Sequence, residues 1–178
     1  MFITRKNSFL AGNLTLPYTT EMSHHYEFLI DAPLSREELS AFLSGHCELV
    51  TRGRDRLGNP IWNSADFYCY ISQPEISHLE MLQQHLRFTP TWRLESHFRL
   101  QPNQNTYPLM VQLMRQVLSR YDCNLAWLSD GSHPIFLKLD RKVTVQGGLS
   151  QTHYWSGYLH QVARDLGFPF DVVAMPSI

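Results

Sequence analysis

A strand-like alternation that runs straight into a capped helix constrains this sequence more than any other feature. Tyr26, Phe28 and Ile30 are apolar, while Glu27 and Asp31 are acidic. That is the two-residue period of a half-buried strand. Pro33 stops it, and Ser35 with Glu38 three residues on forms a capping box. In that motif a hydroxyl and a carboxyl reciprocally satisfy backbone N–H groups that a helix start leaves unpaired. Leu34 and Leu39 can close a hydrophobic staple, Leu39, Phe42 and Leu43 supply the apolar stripe, and Gly45 ends it.

The same criteria carry along the chain. Residues 48–51 read as a short strand, followed by a loop over 52–60 that holds Arg52, Arg54 and Arg56 among turn formers. Residues 61–71 read as one strand, central because large side chains occupy both faces. Pro74 and Glu75 open a second helix to Leu86, with Ile76, Leu79, Leu82 and Leu86 facing inward. Trp92, Leu94, Phe98 and Leu100 alternate with Arg93, Glu95, His97 and Arg99, which predicts a strand with one wet face. Thr106 caps a third helix, in which Met110, Leu113, Met114, Val117, Leu118 and Tyr121 recur at helical spacing. Asp130-Gly131 between apolar runs predicts a hairpin, with a further strand over 138–145. Trp155, Tyr158, Leu159, Val162 and Leu166 outline a fourth helix, which Gly167 and Pro169 stop.

The order β-α-β-β-α-β-α-β-β-β-α predicts a single α+β domain over residues 1–178: a mostly antiparallel sheet with about four helices packed on one face. Residues 1–24 have no clear period and read as an arm or an edge strand through Leu14, Leu16 and Tyr18. A β-α-β-β unit near the start echoes faintly later, too weakly to split the chain. Hydrophobic residues make up 43% of the 178, enough apolar surface for a real core.

Net charge is −1, a poor footprint for gripping a phosphate backbone, so nucleic acid is not an expected partner. No stretch approaches the roughly 20 apolar residues that cross a bilayer, and the N-terminal apolar run is broken by Gly12 and Asn13. The expected location is the cytoplasm, with no membrane partner. Cys47, Cys69 and Cys123 are too few and too scattered for a disulfide framework and read as small buried residues.

Catalytic signals are weak. Among nine histidines, His24 and His25 are adjacent and would point to opposite faces of a strand. His78 and His85, like His153 and His160, are seven apart, too far for the four-residue spacing that lets two imidazoles converge on one ion. No nucleophile elbow is present, Ser132-His133 are merely neighbours, and Gly147-Gly148 lacks a phosphate-binding fingerprint. No cofactor or metal is expected.

The distinctive surface features are the arginine loop and the aromatics that follow it. Arg52, Arg54 and Arg56 can clamp carboxylates, and Trp62, Tyr68 and Tyr70 join a large apolar face to a polar tip. Cationic and aromatic character side by side is the composition of an interface hot spot. These six residues are therefore the expected partner-binding set.

Several segments taken together resemble small immunity proteins of bacterial polymorphic-toxin and self-recognition systems. They are residues 26–31 running into 34–39, then Phe98-Arg99-Leu100, the helix from Met110 to Leu118, the hairpin segment 128–131, and the closing helix at Tyr154-Trp155. The resemblance implies a non-enzymatic protein that binds and neutralises one cognate protein toxin. It transfers no functional residue and leaves the oligomeric state open. The alternatives are a small histidine-dependent hydrolase, with His97 and His133 as the first candidates, and a structural subunit of a larger assembly. The hydrolase predicts a closed pocket in which at least one histidine lies within hydrogen-bond reach of a carboxylate or thiol.

Overall fold

The computed structural model describes residues 25–46, 50–54, 58–63, 67–98, 106–147 and 155–178. The expected arm at 1–24, and with it His24, lies outside them, as do Cys47, Arg56, Leu100, Gly148, His153 and Tyr154. In chain order the elements are β1 (His25–Asp31), α1 (Arg36–His46), β2 (Val50–Arg54), β3 (Pro60–Asn63), β4 (Phe67–Ser72), α2 (Ile76–Leu86), β5 (Trp92–Phe98), α3 (Thr106–Arg120), β6 (Asn124–Ser129), β7 (His133–Leu139), β8 (Lys142–Gln146), α4 (Trp155–Asp165) and β9 (Phe170–Val173).

The capping box forms as its chemistry requires. Ser35 N–H donates to Glu38 Oε2 at 2.7 Å, and Glu38 N–H donates to Ser35 Oγ at 3.2 Å. Those hydrogen bonds, from the Ser35 backbone and then its hydroxyl, hold the Glu38 carboxyl below its ordinary value. All strands join one sheet in the order β2-β3-β4-β5-β1-β6-β7-β8-β9, antiparallel except for β8 beside β9. The protein is thus α+β. The parallel pair needs a crossover, which α4 supplies.

Four expectations are corrected. Residues 61–71 are two strands and not one: β3 and β4 pair antiparallel, Trp62 opposite Cys69. A ninth strand follows α4; four residues with no flanking alternation leave no sequence signal for it. The helices also divide between the two sheet faces. α1, α3 and α4 pack with Phe28, Ile30, Phe67, Ile71, Leu94 and Trp127 in the main core. From α2, Leu82 and Leu86 join Leu29, Ala126 and Leu128 in a smaller core on the opposite face. The periodicity of β1 explains this: Phe28 and Ile30 point one way and Leu29 the other, so both faces carry an apolar residue to cover. Within α2, Ile76 is 77% exposed, not inward, because the first turn lies beyond that smaller core.

Two β-α-β-β-β-α runs follow one another, β1 to α2 and β5 to α4. They are not a structural repeat: β4 borders the central β5–β1 pair in the first, whereas β6 does so in the second.

The β6–β7 turn has φ of 51° at Asp130 and 71° at Gly131, the two left-handed residues of a primed hairpin turn. A Cβ at Gly131 would lie 3.6 Å from Glu27 Oε1, an ordinary contact, so the penalty of a side chain there is in the backbone. Gly131→Ala is expected to cost about 1 kcal/mol, with Gly131→Asn recovering part of it because asparagine tolerates this region. Urea unfolding of the three proteins checks this; equal midpoints would show that the turn is not under this constraint.

Candidate functional site

The polar side chains of β4, β5 and β1 meet on the sheet face that carries α2. Strand register dictates the grouping. His97 lies between Tyr68 and His25, Glu95 between Tyr70 and Glu27, and Arg93 between Ser72 and Leu29. The wet face expected for residues 92–100 is therefore a largely buried network. Glu27 and Glu95 are only 3% and 7% exposed.

Glu95 is its centre. His97 Nε2 lies 2.8 Å and His25 Nε2 3.2 Å from Glu95 Oε1, while Arg93 donates to Glu95 Oε2 at 2.5 Å. Burial works to raise the Glu95 carboxyl. Hydrogen bonds from His25, His97 and Tyr70, with the Arg93 charge, outweigh it and hold the group far below the usual carboxylate range. Burial works to lower the His25 imidazole, yet the Glu95 hydrogen bond and the charges of Glu95 and Glu27 leave it raised. Burial first, then Glu95, raises the Tyr70 hydroxyl.

Glu27 holds the second carboxylate. Its Oε1 is 3.4 Å from His25 Nε2 and 3.6 Å from an Arg93 nitrogen, and its Oε2 is 3.9 Å from His78 Nδ1 on α2. The rings are layered: Tyr68 stacks on His97 at 4.8 Å and 9°, and His97 on His25 at 4.8 Å and 20°. Tyr68, 39% exposed, is the outermost member. A groove lined by Glu75, Ser77, His78, Met81, Arg93 and Gly131 opens beside the network.

The six residues expected to bind a partner are not all brought together. Tyr68 and Tyr70 share the network face. Arg54 is exposed on the edge strand β2, where it donates to Gly58 O at 2.7 Å. Arg52 also lies on β2, and Arg56 lies outside the described residues. Trp62 is a correction: it is 1% exposed, on the main-core face, with Nε1 donating to Ser44 Oγ at 3.1 Å. It is a core residue and offers no surface to a partner.

The sequence treated His25, Glu27, Arg93, Glu95 and His97 as separate. Their signal was polar residues at every second position of two strands, legible as a cluster only once those strands are known to be neighbours. Of the hydrolase expectation only the contact is met: His97 Nε2 lies 2.8 Å from Glu95 Oε1, and neither residue lines the groove beside the network. His133 instead contacts Ser132 Oγ at 2.9 Å. Of the cysteines, Cys69 is buried, and burial pushes the Cys123 thiol up to about 11, leaving it protonated and unreactive near neutral pH.

Among the described residues, no helix is long and apolar enough to cross a membrane. A family model described as SitI3-like matches residues 24–158. No curated protein and no solved structure matches.

Proposed function

This chain belongs to the SitI3-like family, and from that premise we propose that it is an immunity protein, a non-enzymatic binder that neutralises one cognate protein toxin in the bacterial cytoplasm. The observation that carries the reading is the family match over residues 24–158, since SitI proteins are immunity proteins of toxin systems. The chemistry of the polar network is compatible with it. A general base needs a free lone pair and a pKa near the working pH. Glu95 instead accepts from several donors and is held strongly ionised. Such a carboxylate organises its neighbours and takes up protons poorly.

The contact surface on this reading comprises the exposed ring of Tyr68, with Tyr70 beside it, and the edge strand β2 at Arg54; Arg52 and Arg56 stay candidates from the sequence. Arg54→Glu and Tyr68→Ala are each expected to weaken binding to the product of the neighbouring toxin gene. The loss is about tenfold for the charge reversal and about 2 kcal/mol for the tyrosine if it is a central anchor. Calorimetric titration of toxin into each variant measures it. Full affinity in both would remove this surface from the interface.

A histidine-dependent hydrolase is the second reading, favoured by the 2.8 Å His97–Glu95 contact. It expects His97→Ala to abolish protection of toxin-exposed cells while toxin binding persists.

A further inference from the structure

The polar network is rich in ligand atoms. Two buried carboxylates, Glu27 and Glu95, face one guanidinium, Arg93, so the remaining positive charge falls to an imidazolium or to a bound cation. His25, Glu95 and His97 each offer one ligand atom, all within 4.8 Å of one another.

We propose that His25, Glu95 and His97 bind a divalent transition-metal ion of the zinc class, with Glu27 as the next carboxylate in reach. Zinc takes imidazole nitrogen and carboxylate oxygen at 2.0–2.2 Å in a tetrahedron, which places neighbouring ligand atoms about 3.3 Å apart. Glu95 Oε1 is already 2.8 Å from His97 Nε2 and 3.2 Å from His25 Nε2. Shifts of a few tenths of an ångström bring those two edges to ligand spacing, and the two imidazoles, stacked here at 20°, must also turn so that both Nε2 lone pairs point at the ion.

Glu27 adds an independent indication. Its Oε1 is 3.4 Å from His25 Nε2, while its Oε2, 3.9 Å from His78 Nδ1 on the α2 side, is buried with no hydrogen-bond partner among the described residues. The side chains of His25 and His97 keep 24% and 21% exposure, so the cluster is reachable from solvent. Two imidazoles with carboxylates select zinc, cobalt or nickel over magnesium and calcium, which prefer all-oxygen shells. Register also favours prior assembly: the histidines pair directly across β1 and β5 and stay adjacent whenever that sheet is formed. This inference does not depend on toxin binding.

The test uses the full chain without an affinity tag, stripped with chelator and dialysed. Zinc chloride titrated in a calorimeter is expected to bind once per chain with micromolar or tighter affinity, and excess magnesium is not expected to compete. Glu27→Gln is expected to weaken zinc about tenfold or more. His25→Gln with His97→Gln is expected to abolish the site, and His133→Gln to leave it unchanged. Cobalt in place of zinc should give the visible absorption of a low-symmetry four-coordinate ion. Absence of stoichiometric zinc binding by the unmodified chain overturns the proposal, as does full affinity in the double histidine variant. If that variant does not fold, Glu27→Gln and the cobalt spectrum decide: unaltered affinity together with an octahedral spectrum overturns it.

Discussion

Glu95→Gln is expected to lower the stability of the metal-free protein by about 3 kcal/mol near pH 5.5, the cost of removing one partner from a buried charge pair. Glutamine keeps the shape but not the charge, and its amide nitrogen presents hydrogens where Arg93 or the imidazoles donate. The Arg93 guanidinium then keeps the 3.6 Å contact with Glu27 and the hydrogen bond from its Nε to Ser72 Oγ at 3.2 Å, but loses its closest carboxylate. The size of the loss depends on pH in a way that identifies its origin. Glu95 has a depressed pKa, so its contribution is present above the unfolded value of 4.5 and is lost as pH falls toward the folded one. His25 has a raised pKa, so its contribution is complete below 6.5 and is lost as pH rises through its folded value. Both act between pH 4.5 and 6.5, where the difference between the two proteins should peak. The charged and titratable groups facing His25 are Glu27, Glu95, Arg93 and His97, with Asp130 accepting from its backbone N–H at 3.4 Å. Urea unfolding of both proteins in chelator from pH 4 to pH 8 measures the curve. A difference constant across that range would mean that the substitution acts through packing and not through charge.

The local elements were legible because their signals are local. A hydroxyl three residues before a carboxyl produces the Ser35–Glu38 box whatever the rest of the chain does, and Asp130-Gly131 takes its two positive φ angles for reasons internal to the turn. Strand adjacency is not a local property. Nothing near Glu95 in the sequence says that β5 lies between β4 and β1, and only that order turns an alternating polar row into a buried network around one carboxylate. The helix distribution was hidden for the same reason. Leu29, Ala126 and Leu128 form a second apolar patch only because β1 and β6 are neighbours, and that patch is what draws α2 to the opposite face.

Trp62→Ala is expected to be the most damaging single substitution among the six residues first linked to a partner, and its damage should fall on stability. Residues 62, 68 and 70 are all even, so in one continuous strand they would share a face. The β3–β4 pairing reverses that parity. Trp62 opposes Cys69, which sets it with Phe67 and Ile71 in the main core, while Tyr68 and Tyr70 stay on the network face. Removing a fully buried tryptophan costs about 3–5 kcal/mol, a large share of the 5–15 kcal/mol that typically holds a domain together. Trp62→Phe retains most of the buried area and gives up the hydrogen bond to Ser44, about 1 kcal/mol. The phenylalanine variant should bind toxin with full affinity, and the alanine variant should lose binding only in proportion to its unfolded fraction. Tyr68→Ala should behave differently, weakened in binding by more than its smaller loss of stability explains, because its ring is the outermost of the stack on His97. Denaturation midpoints and toxin affinity measured on the same preparations separate the two outcomes. Loss of affinity in Trp62→Phe at unchanged stability would place the indole in the interface after all, and would require the β2–β3–β4 meander to open when the toxin docks.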